Sequence, residues 1–593
     1  MTELYIDNMK VNLPEDFEVD FYVNNPFFTK KGDYTYDIDL SLKDKNNAKI
    51  YNHMYRLHSI TKHKNRSAVL IVDGLVVING TEIILSIEDS IAKIQLVSGN
   101  SELNYLSAGK KTLRELELGE IPDIDEQLAL YSLDHFYPDV EFVCCPVIKE
   151  KGAYVYYGQA PKSDVLYNDI EWDTRNGYNY KAGTTYVAQP YLLSFIDKVC
   201  QALGYDIEEN VLAQNEMYRK LIIVNGYDAK QYNKIVPNWV IDDFITEIEK
   251  LFNVVFLVNK VTKKIRILNT YKYYQNANNK IEISGDKVHN DITIKYDQKE
   301  SLYITYNNVS YSLPNDSWYK YQELDPEIVK KCTVIDVPNF SKIDIVTYKG
   351  YYIFHDLSTN LYFIVNGNNQ LVMVDYLKSY LDDQSDDKSD LKIVPAEIYD
   401  NSYFLSRVDL GGFEPYTGRV GAFVPVVSNV RKADDAQKKL YEAIEGGIPQ
   451  DEIDNSNLFI SIYLGSAKLL GWMMYEDQDV PMHDLDRMTY PQCTISPYVR
   501  YDASMGHNRL FKIGSDTDTL AILGPNGFYA RAYSENISVN TDTEYVIRLE
   551  DNRFLNPMDE FVVDNRQFYC KSLLYKITSK GLSTSIEGTF YAM

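Results

Sequence analysis

Cysteine is scarce in this chain of 593 residues. Cys144, Cys145, Cys200, Cys332, Cys493 and Cys570 make no C-x-x-C pair and no disulfide lattice for a chain this long. Synthesis in a reducing compartment is therefore expected. Long apolar runs are missing as well. No uncharged stretch reaches membrane-spanning length, and the opening residues Met1 to Asp7 lack a basic region followed by an apolar core. Neither a signal peptide, a spanning helix nor an N-terminal lipid anchor is expected. Basic charge is also short, with 60 Lys and Arg against 85 Asp and Glu, a net charge of −25. Tight nucleic-acid binding needs the opposite sign at its contact surface, because neutralised phosphates supply most of that affinity. An acidic channel wall that repels a passing polyanion fits the same charge.

Catalytic signatures are absent too. No His-Glu-x-x-His, Gly-x-Ser-x-Gly or Gly-Lys-Ser/Thr phosphate loop occurs. His53, His58 and His63 fall five apart, which suits neither one helical face nor a hairpin pair of zinc ligands. The acidic run 382–390 lacks the central Gly and the distant Glu of an EF-hand loop and reads as a solvated loop. Glu171 and Asp173 offer two carboxylates, but glycosidase chemistry rests on a spatial separation that sequence does not supply. No catalytic, cofactor-binding or metal-ligating residue is assigned, and the chain is read as a non-enzyme.

What is present is tyrosine and alternation. The 51 Tyr outnumber 23 Phe and 4 Trp, a bias that suits half-buried strands and subunit interfaces; a sugar-binding surface is the sharper alternative. At residues 34–42, Tyr34, Tyr36, Ile38, Leu40 and Leu42 alternate with Thr35, Asp37, Asp39 and Ser41, the period of a sheet wet on one face. Asn46-Asn47 breaks that run, and 50–57 follows as a further stretch. Asp73-Gly74 hinges 68–72 to 75–78 as a hairpin, and Glu88-Asp89-Ser90 turns 83–87 into 91–97. About six short strands before Asn100 are enough for a small antiparallel barrel or sandwich.

Beyond a poorly periodic stretch at 120–188, with a strand at 141–148, two helices stand out. One begins after Pro190-Tyr191, carries Leu192, Phe195, Ile196, Val199, Cys200 and Leu203 on one face, and ends at Gly204. The second starts with Asn238 as a cap and shows Ile241, Phe244, Ile245, Ile248, Leu251 and Phe252. A hairpin at 254–258 and 264–268 completes an α+β unit. Strands are then expected at 292–296, 302–306, 343–348, 351–355, 361–365 and 371–374, and a short helix at 433–445 flanked by strands at 423–427 and 458–464. The last hundred residues return to strand at 545–549, 560–563, 567–577 and 584–590, with Asp564-Asn565 as a turn.

The order of these phrases resembles the hub proteins that cap the tail tube of tailed bacteriophages and prophages, particularly those of Bacteroidetes hosts. The residues that carry it are Thr29-Lys30, Asn46-Asn47, 80–85 and 113–119 near the start; Pro190-Tyr191, Gly204-Tyr205, Pro237 with Trp239, Leu251-Phe252-Asn253 and 256–259 in the middle; and Gly527-Phe528-Tyr529, Pro557-Met558-Asp559, Phe568-Tyr569-Cys570 and 588–591 at the end. Residues 346–480 depart from the pattern. The resemblance implies an α+β, predominantly β chain with two antiparallel β-barrel domains, an α+β domain between them and an inserted mixed domain. The expected division is 1–119 N-terminal barrel, 120–188 connector, 189–275 α+β domain, 276–345 second barrel, first part, 346–480 inserted domain and 481–593 second barrel, C-terminal part. It further implies a homotrimeric ring in the virion tail, assembled in the bacterial host cytoplasm. Its partners would be the tail tube, the spike or tip and other tail components, with DNA passing through without tight binding and no cofactor. A tail-associated glycan hydrolase and a glycan-binding surface protein are the alternative readings.

Overall fold

The computed structural model describes the chain apart from residues 57, 59–64, 109–110, 150–165, 174–176, 277–278, 290–291, 297–308, 314–331, 344–346, 349, 366, 369–370, 378–388, 401–418, 428–456, 469, 476–477, 482–488, 503–507, 534–536, 538 and 540. The fold is predominantly β, with mainly antiparallel sheets. The described residues before Asn100 hold β1 (Thr2–Ile6), β2 (Met9–Val11), β3 (Glu18–Asn24), β4 (Asp33–Thr35), β5 (Ile38–Ser41), helix α1 (Lys45–Ile50), β6 (Arg66–Val72), β7 (Leu75–Glu88) and β8 (Ile91–Ser98); helix α2 (Asn100–Ala108) follows. The Asp73-Gly74 hairpin forms as expected, with φ of 52° and 82°, the left-handed pair that a two-residue turn matching strand twist requires.

Two expectations here are corrected. The alternation at 34–42 is not one strand, because both Tyr36 and Asp37 are exposed between β4 and β5 and the buried parity switches from Thr35 to Ile38 and Leu40. Two consecutive outward residues act as a bulge, so Tyr34 and Tyr36 lie opposite the core they were expected to join. Residues 45–50 are helical rather than a break before another strand. The Asp44 carboxylate accepts from the Asn46 and Asn47 backbone N–H groups at 2.9 Å each, satisfying first-turn donors that a strand would have sent to a neighbour.

The middle of the chain builds α3 (Glu126–Leu133), α4 (Leu192–Ala202), β9 (Asp206–Asn210), β10 (Leu221–Ile223), α5 (Ile241–Phe252), β11 (Val255–Asn259) and β12 (Lys264–Leu268). Helix α3 was not anticipated, and the strand expected at 141–148 is two two-residue pieces, Phe142–Val143 and Val147–Ile148. Helix α4 and the α5 hairpin unit follow the sequence reading, with Gly204 at φ 90° behind α4. The cap of α5 is Val240 and not Asn238, because Val240 is held extended by a bridge to Thr112 while Trp239 is buried. Strand β9 joins the hairpin in parallel with β12.

Strands β13 (Lys280–Ile283) and β14 (Thr293–Tyr296) come next. Val334–Val337, Tyr352–Asp356, Leu361–Val365 and Leu371–Asp375 form a four-stranded sheet over Phe340, Phe354 and Phe363. Further on, β15 (Ile393–Pro395) and β17 (Thr489–Thr494) flank β16 (Leu458–Lys468), which also pairs with β10. Ile393, Ile460 and Tyr463 share a core with α4 and α5. The strand expected at 302–306 and the helix expected at 433–445 lie outside the described residues.

The chain closes with β18 (Thr543–Glu550), β19 (Glu560–Val563), β20 (Arg566–Thr578) and β21 (Gly581–Ala592), turned at Asp564-Asn565 with φ of 46° and 64°. These do not stand apart from the N-terminal strands. A single sheet runs β2-β1-β6-β7-β8-β4-β3-β20-β21-β18-β14, with β5 on β8, and β13 on β19 beside β20. Among the described residues, no strand pairing closes a barrel, so the two-barrel architecture is not visible in the ladders. One core lies beneath both groups of strands, from Leu4 and Phe21 to Tyr575 and Phe590.

Candidate assembly interface

The groups that invited chemical readings do not converge. Among the described residues, no cluster of three His, Cys, Asp or Glu side chains is placed to hold a metal ion. His53 meets Tyr55 edge-on at 6.0 Å, His58 is exposed, and His63 lies outside the described residues. Glu171 and Asp173 fall on the short strand Ile170–Asp173. Of the acidic run 382–390, the end is strand, where Asp390 accepts from the Ser310 hydroxyl at 2.8 Å, and 382–388 lie outside the described residues. A shallow depression between Ile121, Tyr186 and Tyr227 has Asp228 and Lys230 as its charged lining, and Lys230 is already paired with Asp123 at 2.8 Å.

What the fold does build is a seam, a wet face and two unlike edges. At the seam, β3 and β20 pair from Glu18 opposite Thr578 to Asn24 opposite Ser572. Val19, Phe21 and Val23 meet Leu573, Tyr575 and Ile577 on the buried side, and Phe554 stacks on Tyr575 at 5.2 Å. Buried Asn25 secures the end of the seam, its amide donating to the Pro557 carbonyl at 3.0 Å and the Cys570 carbonyl at 2.9 Å. On the wet side, Lys576 pairs with Glu18 at 3.0 Å, and Arg548 with Glu587 at 3.4 Å. Tyr22 stacks on Tyr34 at 5.2 Å and meets Tyr36 edge-on at 5.3 Å. Partial burial and the Tyr36 hydroxyl push Tyr22 up to about 12, so its phenol stays neutral at physiological pH.

The edges differ in chemistry. Along β2, helix α1 is laid over the ladder: Asn46 Nδ2 donates to the Lys10 carbonyl at 2.7 Å, and Asn47 exchanges two bonds of 2.9 Å with the Asn12 backbone. Asn47 also reaches the Ser41 carbonyl at 3.2 Å, so one side chain bridges the end of β5 to the segment after β2. At the far end, all four residues of β14 are exposed, and among the described residues β14 pairs with β18 alone. Ile292, Ile294 and Tyr296 are 49%, 46% and 78% exposed there. A covered edge refuses new strands, whereas an apolar open one offers backbone donors and acceptors to a neighbour.

The α5 hairpin unit is pinned beneath the N-terminal strands by its turn. Lys260 reaches Asp33 at 2.6 Å, and Lys263 pairs with Glu102 and donates to the Asn79 carbonyl at 2.9 Å. Asn100 accepts from the Val258 N–H at 3.0 Å and donates to the Phe256 carbonyl. Lys30 pairs with Glu249 at 3.0 Å. Burial pushes the Asp33 and Glu249 carboxyls up, against the lysines that face them.

Sequence reading passed over the seam although its signal is visible. Val19, Phe21 and Val23 alternate with Glu18, Asp20 and Tyr22 as a one-sided strand should. No protein-family profile matches the chain, and no curated protein matches it in sequence. Among solved structures, a 43 kDa tail protein of prophage MuSo2 from Shewanella oneidensis is similar with a TM-score of 0.29 and 8% identity, over 99% of this chain and 96% of that one. A score that low supports no conclusion about fold or role.

Proposed function

We propose that this protein is a structural, non-enzymatic component of a phage tail, the hub that joins the tail tube to its spike or tip. The observation that carries the reading is the continuous sheet uniting the chain's first and last strands across β3 and β20, covered at the β2 edge and, among the described residues, open at β14. On this reading, the two groups of strands joined across that seam supply the two barrel-like halves of each subunit. Copies arranged as a homotrimer would close into a ring, with β14 of each subunit adding to the next. The net charge of −25 suits a passage that DNA crosses without sticking. The sequence phrases shared with tail hubs at start, middle and end support the same assignment. The ring would sit in the virion tail after assembly in the host cytoplasm.

The test is mass photometry and negative-stain imaging of the purified chain. Trimeric rings with an open centre are expected. A persistent monomer at high concentration, or release of sugar from host peptidoglycan or capsule, would overturn the proposal.

A further inference from the structure

We propose that Cys145 and Cys493 are a latent disulfide, a pair of core thiols that peroxide converts into a covalent tie between the segment before α4 and strand β17. Their sulfurs stand 3.8 Å apart although the residues are 348 positions apart in the chain. Both side chains are buried. The backbone on each side is held: Asn168 donates to the Cys145 carbonyl at 2.8 Å, and Cys493 faces Tyr463 in the β16–β17 ladder. Tyr463 is anchored in turn, its hydroxyl donating to the Leu133 carbonyl at 2.7 Å. A disulfide needs sulfurs about 2.05 Å apart, so the closure required is roughly 1.7 Å shared between two side chains.

The chemistry balances with one peroxide. One thiol reduces the O–O bond and becomes a sulfenic acid, releasing water; the second thiol attacks that sulfur, forming the S–S bond and releasing a second water. Thiols persist while the chain is made in a reducing compartment, and the tie forms once an oxidant reaches the folded protein. Burial holds the Cys145 thiol well above its ordinary range, so thiolate is scarce. The reaction is accordingly slow, paced by local opening. The resulting bond closes a loop through 348 positions and restricts the unfolded chain more than the native one.

The experiment uses the full chain, purified with reductant, transferred to hydrogen peroxide, then alkylated under denaturing conditions and digested without reduction. A linked Cys145–Cys493 peptide is expected, together with an upward shift of several degrees in the thermal midpoint that dithiothreitol reverses. Cys332→Ala retains both, while Cys145→Ala and Cys493→Ala lose the shift. A bridge through Cys144, sulfinic or sulfonic acid at Cys145 in place of a bridge, or an unchanged shift in Cys145→Ala would overturn the proposal. Peptide mapping of the unsubstituted chain decides the matter even where a variant fails to fold.

Discussion

Glu82 shows how much a single side chain is asked to do. It is 1% exposed in the N-terminal core, paired with Arg66 through Nε at 2.6 Å, and it accepts the Tyr51 hydroxyl. Arg66 also donates to the Ile50 carbonyl at 3.1 Å, so the ion pair fixes α1 against β6 and β7. Burial raises the Glu82 carboxyl, and the Arg66 charge and Tyr51 hydroxyl oppose that rise without cancelling it. Arg66→Ala leaves an uncompensated buried carboxylate and should cost about 3–5 kcal/mol at neutral pH. Denaturant titration of the transition that includes the N-terminal strands measures it. Because the folded carboxyl keeps its proton to a higher pH than the unfolded one, its contribution is most favourable below the ordinary carboxylate range and weakens as pH rises through the raised value. The Arg66→Ala deficit should therefore shrink on acidification, and a deficit independent of pH would contradict the assignment.

At the scale of elements, α1 is six residues long, too short to persist without its cap and its contacts. The Asn47 N–H, followed by the Asn12 amide, holds the Asp44 carboxyl below its ordinary range. That stabilisation is present above the ordinary carboxylate pKa and is lost as pH falls through the lowered one. Asp44→Ala should cost about 1 kcal/mol, and hydrogen exchange should locate the loss at the amides of α1. The hairpins were legible from sequence because Asp73-Gly74 and Asp564-Asn565 encode their turn in two adjacent residues. Helix α1 was not legible. Its apolar residues Ala48 and Ile50, with Tyr51 just beyond, fit a short strand as well as a helix, and the decision falls to the Asp44 cap and to contacts with residues 12 and 41.

For the whole molecule, β14, which among the described residues pairs with β18 alone, is the consequential feature. Ile294→Lys or Tyr296→Asp adds charge on a surface already exposed, so far-UV circular dichroism should stay at its wild-type value. If β14 joins a neighbouring subunit, either substitution should weaken self-association at least about tenfold, since a buried unpaired charge at an interface costs more than 1.4 kcal/mol. Sedimentation velocity across a concentration series measures this, and unchanged assembly in both variants would remove β14 from the interface.

The sequence by itself determined what short-range chemistry can encode: the one-sided strands, the left-handed two-residue turns, the apolar faces of α4 and α5, and an excess of acid unsuited to gripping nucleic acid. Tertiary structure decided which strand lies beside which. Glu18 meets Thr578 and Cys145 meets Cys493 because both partners must bury the same apolar side, and periodicity names a buried side without naming the neighbour that covers it.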